Sequence, residues 1–406
     1  MGTVGQVDVL VVGAGPAGVA AGIEAQRLGL DVLVVDKAGF PRDKTCGDGL
    51  TTGALRLLDE LGLDVRTLPS YAPVTDTVLV SPAGREVVVP LPDRGAYAGV
   101  VPRIELDTAL VALARDRGVA LREHAGLGDL ADEGDHYAAT LADGTTVRTR
   151  WIVAADGHYS PVRHLLTDAP TELGTWHAFR QYFTGVDERR LWVLFEEDFL
   201  PGYAWMFPVG DGRANLGFGV LRGSNGDAPS GKALAAQWRT LADRPSVRRA
   251  LGPDARPDGA MRAWPIPAAY DRARLARGRT LFAGDAANVV DPMTGEGIAQ
   301  ALETGALAAR AIAASPGDAV RVADRYRDDV DHTLGSDLRF AALLQQVLKV
   351  PIGARAAIAT AALTPWTRRN FARWMFEDYP RALVLTPRRW RRGALTRPGA
   401  YPDALV

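Results

Sequence analysis

The first third of the chain alternates short apolar runs with amphipathic segments. Apolar runs rich in β-branched residues predict buried parallel strands at 7–12, 31–35, 119–123 and 151–155. Helical patterns lie between them, at 19–28, 53–63 and 104–117. A later apolar run at 280–283 precedes a helical pattern that ends at Arg310. This order predicts an α/β fold built on a parallel sheet.

Elsewhere the apolar positions follow a period of two. Between residues 176 and 221 apolar and polar residues alternate, which predicts an antiparallel sheet. A β-hairpin is predicted at 75–90, and two short strands are predicted within 130–150, around a turn at 142–144. The last hundred residues have helical patterns that are interrupted by Pro351, Pro365, Pro380 and Pro387.

These patterns divide the chain into four predicted parts. Residues 1–170 form a first domain of Rossmann type, with a β-hairpin excursion near 75–100. Residues 171–270 form an antiparallel β domain that is a candidate substrate-binding domain. Residues 271–320 return to the first domain, and residues 321–406 form a C-terminal helical region.

Composition and charge narrow the class of protein. The chain has 406 residues, of which 47% are hydrophobic and 23% charged, and its net charge is -1 at pH 7. These values are typical of a soluble globular protein and argue against a nucleic-acid partner. The one cysteine, Cys46, excludes an internal disulfide and fits a reducing cytoplasm. The N-terminal apolar run is too short for a signal peptide or a membrane span, so we expect a cytoplasmic protein.

A glycine turn follows the first predicted strand. It reads Gly13-Ala14-Gly15-Pro16-Ala17-Gly18 and leads into a helical pattern, which is the context that a dinucleotide-binding motif requires. Gly13 permits the tight turn, Gly15 lets a pyrophosphate approach the backbone, and Gly18 lets the helix pack on the strand. The next strand ends in Asp36, where an acid is expected to bind an adenosine ribose. The alternative is a purely structural glycine turn.

Other catalytic chemistries have no signature in the sequence. The six histidines do not have zinc-like spacing with a cysteine, and no G-x-S-x-G or other nucleophile motif is present. We therefore expect no metal. A bound cofactor is expected to carry the reaction, while the protein orients and shields it.

A loop at residues 40–50 reads F-P-R-D-K-T-C-G-D-G-L. By composition it is a polar surface loop with an unpaired cysteine. Together with the glycine turn and Asp36-Lys37, however, it resembles the geranylgeranyl reductase family of flavoproteins, which has the para-hydroxybenzoate hydroxylase-type fold. Bacterial menaquinone reductases of that family carry a very similar string. The sequence departs from those reductases at Thr52-Gly53-Ala54, so the resemblance does not identify the substrate.

This resemblance implies that FAD is the cofactor and indicates which segments would contact it. Cys46, Gly47, Asp48 and Gly49 would lie against the FAD, with Cys46 near the isoalloxazine. Arg103 would give a cation to the pyrophosphate, or it is a surface arginine at a helix start. The backbone at Ala125 would clamp the adenine. Three further segments would contact the FAD. They are Asp156-Gly157, a pair that flavin-dependent hydroxylases also have, Gly284-Asp285, which would bind the ribityl chain, and the helix start at Gly295, Gly297 and Ile298.

An aromatic segment is the most family-specific feature. Tyr203, Trp205 and Phe207 alternate, so on a strand they would form one aromatic wall. Gly217 and Gly219 on the neighbouring strand would let a ligand lie close to the backbone. In geranylgeranyl reductases this segment lines the pocket where a prenyl chain meets the flavin. The alternative is an aromatic core face of an ordinary sheet.

The leading hypothesis is a reductase in which reduced FAD gives hydride to an isoprenoid double bond. Cys46 or an ordered water would donate the proton. The alternative is a flavin monooxygenase that hydroxylates or epoxidises an aromatic or terpenoid substrate, and a third hypothesis is a flavoprotein that only carries electrons or senses redox state. Flavin halogenases share the fold, but their W-x-W-x-I-P signature is not present.

The partners are predicted from the number of dinucleotide-binding motifs and from the charge pattern of the C-terminal region. With one dinucleotide fingerprint, NAD(P)H or a ferredoxin-like protein would be a transient electron donor. The substrate would be an apolar small molecule or a prenyl lipid. Residues 368–397 are dense in arginine and interleaved with tryptophan, so they would contact an anionic membrane surface or form a solvated cap. The sequence leaves the oligomeric state open.

Overall fold

Three β-sheets organise the protein, whose computed structural model describes residues 3–167, 174–222, 231–387, 390 and 393–402. The strands are β1 (Thr3–Val12), β2 (Val32–Val35), β3 (Gly49–Thr51), β4 (Ala72–Pro73), β5 (Asp76–Val80), β6 (Glu86–Pro90), β7 (Ala98–Val100), β8 (Ala120–Arg122), β9 (Leu127–Asp132), β10 (Tyr137–Leu141), β11 (Thr146–Ala154), β12 (Trp176–Thr184), β13 (Leu191–Leu194), β14 (Tyr203–Val209), β15 (Arg213–Leu221), β16 (Arg256–Ile266), β17 (Ala276–Arg277) and β18 (Thr280–Phe282).

Helices connect and cover these strands. They are α1 (Pro16–Arg27), α2 (Thr52–Leu61), α3 (Arg103–Asp116), α4 (Pro161–Leu166), α5 (Gly231–Leu241), α6 (Pro245–Leu251), α7 (Ile298–Ala314), α8 (Ala319–Val330), α9 (Ser336–Leu348), α10 (Pro351–Ala361) and α11 (Pro365–Met375). The predicted domain boundary between residues 170 and 171 lies outside the described residues, as do Arg388, Arg389, Arg391 and Arg392 of the arginine-rich segment.

The first sheet carries the glycine turn at the end of β1. Its strand order is β17-β18-β11-β1-β2-β8, and β10 and β9 extend it from β11. Strands β18, β11, β1, β2 and β8 run parallel. Residues 9–12 of β1 are buried because a parallel sheet is covered on both faces. The predicted α/β fold on a parallel sheet is confirmed.

Helices α1 and α7 meet where α7 has a glycine. A Cβ atom at Gly305 would lie 2.0 Å from the carbonyl oxygen of Ala17. Real Cβ atoms do not approach a carbonyl oxygen so closely. Because Ala17 belongs to the glycine turn, this contact fixes the first turn of α1 against α7.

Gly305→Ala is expected to lower the free energy of unfolding by about 1–3 kcal/mol, because the added methyl group forces the two helices apart. This is the net loss that remains after the gain of about 1 kcal/mol that alanine brings to a helix over glycine. Urea denaturation would measure it. At Gly317 a Cβ would meet nothing within 4 Å, so Gly317→Ala is the matched control and should stay within about 0.5 kcal/mol of wild type. Equal stability of both variants would contradict the packing argument.

The second sheet has seven strands in the order β16-β12-β15-β14-β13-β5-β6. All neighbours are antiparallel except β13 and β5. The antiparallel sheet predicted for residues 176–221 is confirmed. The hairpin predicted at 75–90 is also confirmed, and it extends this second sheet, because Thr77–Val80 pairs in parallel with Leu191–Leu194.

One predicted strand boundary is wrong. The sequence pattern ended a strand at Arg150 and began another at Trp151, whereas β11 is continuous. Its first half pairs with β10 and alternates in burial, which means that one face is not fully covered there. Its second half pairs with β18 and is buried on both faces. In addition, β9 pairs with β10, so this segment contains three strands where two were predicted.

The third sheet is small and antiparallel, with the order β3-β7-β4. The helices predicted for the C-terminal region are confirmed as α8 to α11. Pro351 and Pro365 begin α10 and α11, because the first turn of a helix needs no N–H from proline. Within the described ranges, no helix is both long enough and apolar enough to span a membrane.

Candidate active site

A cavity of about 500 Å³ lies between the first sheet and the second sheet. Loops that follow β1, β2, β11 and β18 line one part of it, and aromatic residues of β14 line another. In open α/β sheets, ligands bind at the carboxyl ends of parallel strands. The volume is within the range of cofactor and ligand pockets.

The glycine turn forms one wall of this cavity. Gly13 has a φ of +104°, and a Cβ there would lie 2.2 Å from the carbonyl oxygen of Ala155. At Gly18 a Cβ would lie 1.7 Å from the carbonyl oxygen of Gly13, so Gly18 packs α1 on the turn and does not line the cavity. Gly15 lines the cavity, and its Cβ position has one neighbour, Nη2 of Arg42 at 3.6 Å. The turn thus presents bare backbone to a ligand.

Asp36 holds the glycine turn in place. Its carboxylate accepts hydrogen bonds from the backbone N–H groups of Ala14 at 2.7 Å and Ala38 at 2.8 Å. Asp36 and Lys37 both line the cavity. The carboxylate therefore orients the loop and also reaches the space where a ribose was predicted.

Ala125 lies behind the cavity wall. Its backbone N–H donates to the carbonyl oxygen of Asp36 at 2.8 Å. The next two residues, Gly126 and Leu127, line the cavity instead. They are therefore in place to contact a ligand, and the role of Ala125 is to anchor this segment beside Asp36.

Two acidic side chains follow strands beside the glycine turn. Oδ1 of Asp156 is buried and, among the described residues, has no hydrogen-bond partner. Burial raises the pKa of Asp156. Asp285 forms an ion pair with Lys44 at 2.8 Å. Burial by itself would raise the pKa of Asp285, but Lys44 holds that pKa below its usual range. Lys44 belongs to the K-T-C-G-D-G-L string, yet sequence reasoning gave it no role.

Arg103 reaches the cavity wall with its charge already paired. Its guanidinium donates to both carboxylate oxygens of Asp107, each at 2.8 Å. Burial by itself would lower the pKa of Arg103, but Asp107 raises it overall. Arg42 also pairs with Asp107, at 3.0 Å, and its side chain is 22% exposed next to Gly15. Arg42 is therefore the more accessible cation beside the glycine turn, and sequence reasoning missed it.

The loop of Cys46 is tied to the second sheet by Asn215. The Asn215 amide donates to the carbonyl oxygen of Cys46 at 2.8 Å and to the carboxylate of Asp48 at 2.7 Å. Its Oδ1 accepts a hydrogen bond from the indole N–H of Trp205 at 3.1 Å. The Tyr182 hydroxyl also donates to Asp48. Burial raises the pKa of Asp48 to about 6, although these hydrogen bonds oppose the rise.

Within this loop, Cys46 and Gly47 line the cavity, whereas Asp48 and Gly49 lie behind its wall. Burial raises the pKa of Cys46 to about 11, so its thiol is neutral at pH 7. A Cβ at Gly49 would lie 3.1 Å from the ring of Phe207. Gly49 therefore lets the loop approach the aromatic strand closely.

Tyr203, Trp205 and Phe207 project from one face of β14 into the cavity. Their ring centroids are 6.1 Å apart in both neighbouring pairs. The Tyr203 hydroxyl donates to the carbonyl oxygen of Thr294, which joins this face to the loop before α7. We call these three residues the aromatic wall.

The two glycines of β15 differ in what they face. A Cβ at Gly217 would lie 2.2 Å from the Trp205 ring, so Gly217 makes room for the indole and does not line the cavity. Gly219 lines the cavity, and its Cβ position has nothing closer than the carbonyl oxygen of His177, at 4.0 Å. A ligand has access to the backbone at Gly219 and not at Gly217.

Helix α7 begins at the cavity. Gly297 is its N-cap residue, and no side chain caps it. Gly295, Gly297 and Ile298 all line the cavity. The backbone N–H groups of the first turn and the positive end of the helix dipole are therefore available to an anionic group of a ligand.

The C-terminal region reaches this site with two residues that sequence reasoning missed. Arg381 is buried and pairs with Asp291 and, at 3.3 Å, with Glu377. Glu377 accepts hydrogen bonds from Thr51 at 3.0 Å and Gln300 at 2.9 Å. No local pattern marks Glu377 or Arg381, because their partners lie far away in the sequence.

Most of the predicted site residues meet at one cavity. Those that line it are Gly13, Gly15, Pro16, Ala17, Asp36, Lys37, Cys46, Gly47, Arg103, Asp156, Gly157, Tyr203, Trp205, Phe207, Gly219, Gly284, Asp285, Gly295, Gly297 and Ile298. Those that support it from behind are Gly18, Asp48, Gly49, Ala125 and Gly217. In the part of the chain that the structure describes, no three His, Cys, Asp or Glu side chains form a metal-binding group.

This arrangement fits FAD. The bare backbone at Gly15 suits a pyrophosphate, the unpartnered oxygen of Asp156 suits a hydrogen-bond donor, and the uncapped start of α7 suits an anionic ring edge. The fold and the cavity together define an FAD-dependent oxidoreductase.

Comparisons with known proteins give the family. A family model described as FAD binding domain matches residues 6–328. Menaquinone reductase from Mycolicibacterium smegmatis is 36% identical over 328 residues, which cover 75% of this chain and 76% of that protein. Digeranylgeranylglycerophospholipid reductase 2 from Methanopyrus kandleri is 30% identical, with 83% of this chain and 85% of that protein covered. The chain belongs to the geranylgeranyl reductase family of FAD-dependent oxidoreductases, as its motifs predicted.

A solved structure supports the fold. The crystal structure of a geranylgeranyl bacteriochlorophyll reductase-like protein from Thermoplasma acidophilum matches with a TM-score of 0.78 at 20% identity. The match covers 95% of this chain and 99% of that chain. It confirms the predicted FAD-binding fold with its second, antiparallel sheet.

Proposed function

We propose that the protein reduces carbon–carbon double bonds of an isoprenoid or prenylated substrate. The observation that carries this proposal is that the aromatic wall faces the same cavity as the Cys46 loop and the start of α7. An apolar chain would bury its surface against the three rings. When bound, reduced FAD supplies hydride to one carbon of the double bond.

The chain's own residues would hold the FAD along the cavity. The Gly15 backbone and the start of α1 would receive the pyrophosphate, with Arg42 as the nearby cation. Asp36 would accept from the ribose, and Asp285 from the ribityl chain. Cys46 would lie at the reacting end, where its neutral thiol is one candidate for the proton donor.

The names of the relatives support a prenyl substrate. The M. smegmatis relative is a menaquinone reductase and the M. kandleri relative is a digeranylgeranylglycerophospholipid reductase. The departure from menaquinone reductases at Thr52-Gly53-Ala54 falls on the first turn of α2, where a Cβ at Gly53 would lie 3.6 Å from Oε2 of Glu377. Prenylated quinones and prenyl lipids are therefore both candidate substrates.

A flavin monooxygenase would use the same cofactor-binding residues and is the alternative function. Reduction is favoured because both relatives are named reductases, and because the Cys46 loop and the aromatic wall resemble segments of geranylgeranyl reductases. A protein that only carried electrons would have little use for the aromatic wall.

The proposed electron donor is NAD(P)H or a ferredoxin-like protein that binds transiently. Arg262 supports this part of the proposal, because it lines the cavity and its side chain is 57% exposed. It pairs with Asp43 at 3.5 Å through Nε, and its exposure leaves the guanidinium accessible to a phosphate or an acidic protein. Rates of FAD reduction by NADPH, NADH and a reduced ferredoxin would decide between them. The effective donor should lose rate in Arg262→Gln.

We propose a cytoplasmic protein that contacts the membrane through its C-terminal helices. Large apolar side chains that are half or more exposed there are Leu343, Val347, Val350, Ile352, Leu363, Trp366, Leu385 and Trp390. Exposed cations lie among them, such as Lys349, Arg355 and Arg369. Apolar groups beside cations are typical of surfaces that bind anionic lipid.

The double variant Ile352→Ser, Trp366→Ser is expected to bind vesicles of anionic phospholipid at least about tenfold more weakly than wild type, because burying each large side chain contributes about 1.5–3 kcal/mol. Co-sedimentation would measure binding. Val320, 72% exposed on α8, gives the control Val320→Ser, which should bind like wild type. Wild-type protein that fails to bind anionic vesicles would contradict the membrane proposal.

Reoxidation of the flavin without oxygen tests the proposed function. The FAD of the holoenzyme would be reduced chemically under nitrogen and mixed with prenylated quinones and prenyl lipids of increasing chain length. Substrate-dependent reoxidation that strengthens with chain length is expected. A flavin that stays reduced with every such compound, while NADPH and air turn it over, would contradict the reductase.

A further inference from the structure

Glu296 presents a carboxyl group to the reacting end of the cavity. It lies between Gly295 and Gly297, directly before α7, and lines the cavity together with Cys46 and Tyr203. Its Oε1 lies 3.6 Å from the Cβ position of Gly49, in the Cys46 loop. No side chain or backbone group of the described residues forms a hydrogen bond with this carboxyl. It is therefore available to a molecule in the cavity.

The charges around Glu296 favour its neutral, protonated form. Asp291 and Glu377 lie close to it, and the buried cation Arg381 pairs with both of them. The other cation nearby, Arg103, is occupied by Asp107. A negative charge on Glu296 would therefore lack a partner of its own in the described structure, and the neighbouring Asp291 and Glu377 would oppose it.

Burial, followed by the charge of Glu377, raises the pKa of Glu296 to about 8. The positive end of the α7 dipole acts in the opposite direction, because it favours the ionised form. The titratable and charged groups that face Glu296 from all sides are Cys46, Arg103, Tyr203, Asp291, Glu377 and Arg381.

We propose that Glu296 is the general acid that completes saturation of the double bond. This role rests on the proposed reductase function. When bound, reduced FAD would supply hydride, with both electrons, to one carbon. As the π electron pair moves to the other carbon, the O–H bond of Glu296 would break, its proton would form the second C–H bond, and the carboxylate left behind would regain a proton from solvent.

Glu296 is better suited to this step than the other acids of the cavity. An effective general acid has a pKa near the working pH. Burial raises the pKa of Cys46 to about 11, and burial raises that of Tyr203 further above its usual value. Cys46 would then shape the flavin face, and Glu296 would transfer the proton. Glu377 is a positioning residue, because it acts on Glu296 through charge.

Single-turnover reoxidation of the reduced holoenzyme by a prenylated substrate tests this assignment. Glu296→Gln should slow reoxidation by about 100-fold or more, because a general acid usually accelerates a reaction by at least that factor. The wild-type rate should fall as the pH rises through about 8, because the carboxyl loses its proton there. The residual rate of Glu296→Gln should not depend on pH. In Glu377→Gln the wild-type fall should move to lower pH, since a like charge is removed.

Matched variants separate a catalytic role from a structural one. Glu303→Gln makes the same change on α7, away from the cavity, and should leave the rate and its pH dependence unchanged. Glu296→Asp should recover part of the rate, because it restores a proton. Cys46→Ala should keep the pH dependence of wild type. A Cys46→Ala variant that blocks product while Glu296→Gln reacts at the wild-type rate would overturn the assignment in favour of the thiol.

A second readout needs no substrate. The infrared spectrum of wild-type holoenzyme minus that of Glu296→Gln should contain the C=O band of one protonated carboxyl at pH 7, and this difference band should be lost above pH 8. A difference spectrum without this band at pH 7 would overturn the assignment. If wild type reacts with prenylated substrates and Glu296→Gln matches it, Glu296 alone is excluded. If wild type reacts with none of them, the reductase function fails and the proton-donor role fails with it.

Discussion

Gly15→Leu is expected to produce a folded protein without flavin. Gly15 has extended backbone, with a φ of -76°, so leucine fits without strain. Its side chain would enter the cavity where the backbone is proposed to meet the pyrophosphate, and the one neighbour of its Cβ is the Arg42 guanidinium at 3.6 Å. The affinity for FAD should fall at least about 100-fold, which corresponds to about 2.7 kcal/mol.

Titration of the apoprotein with FAD, together with its circular dichroism spectrum, would measure this loss and the integrity of the fold. Gly5→Leu is the matched control, because Gly5 is an exposed residue of β1 and its Cβ would meet nothing within 4 Å. It should bind FAD like wild type. A yellow Gly15→Leu protein with unchanged affinity would show that the pyrophosphate does not lie at this turn.

Gly219→Leu is expected to keep FAD and lose activity on prenylated substrates. Gly219 pairs directly with Tyr203, and its Cβ position is open to the cavity. A leucine there would occupy space that a prenyl chain needs beside the aromatic wall. The kcat/KM should fall about 100-fold or more for long-chain substrates, because each lost apolar contact and each steric overlap raises the barrier.

The control for Gly219→Leu is a reaction of the same variant that does not use the substrate pocket. Oxidation of the reduced flavin by a small artificial dye, and the affinity for FAD, should remain at wild-type values. Gly219→Ala should have a smaller effect than Gly219→Leu, because its methyl group reaches less far into the cavity. Equal losses with the dye and with the prenylated substrate would mean that Gly219 supports the flavin site instead of the substrate site.

The cofactor-binding part of the cavity was predictable because its signals are local. A buried strand followed by glycine or aspartate marks each strand end, as at Gly13, Asp36, Asp156 and Gly284. Parallel strands bring these ends to the same edge of the sheet. The aromatic wall was predictable for a similar reason, since alternate residues of a strand share a face.

What could not be predicted depends on pairing between distant segments. The parallel pairing of β5 with β13 moves the hairpin into the second sheet, and no residue of the hairpin signals it. Glu377 and Arg381 come to the site from the C-terminal region for the same reason. The ion pair of Arg103 with Asp107 is different: their spacing of four residues on α3 could have revealed it.

The glycines of β15 show how register decides a role. In the sequence, Gly217 and Gly219 are equivalent small residues on one face of a strand. Gly217 pairs with Trp205 and is covered by its indole, whereas Gly219 pairs with Tyr203 and stays open. The orientation of the Trp205 side chain therefore decides which of the two glycines a ligand can contact. The alternation of residues along the strand does not determine that orientation.

The mass of the product tests the central claim most directly. Reduced holoenzyme would be incubated under nitrogen with a prenylated quinone or a prenyl lipid, and the product would be analysed by mass spectrometry before and after air is admitted. A reductase gives a product with two added hydrogens and no oxygen while nitrogen is still present. A substrate that stays unchanged under nitrogen and gains one oxygen atom in air would contradict the account and establish the monooxygenase.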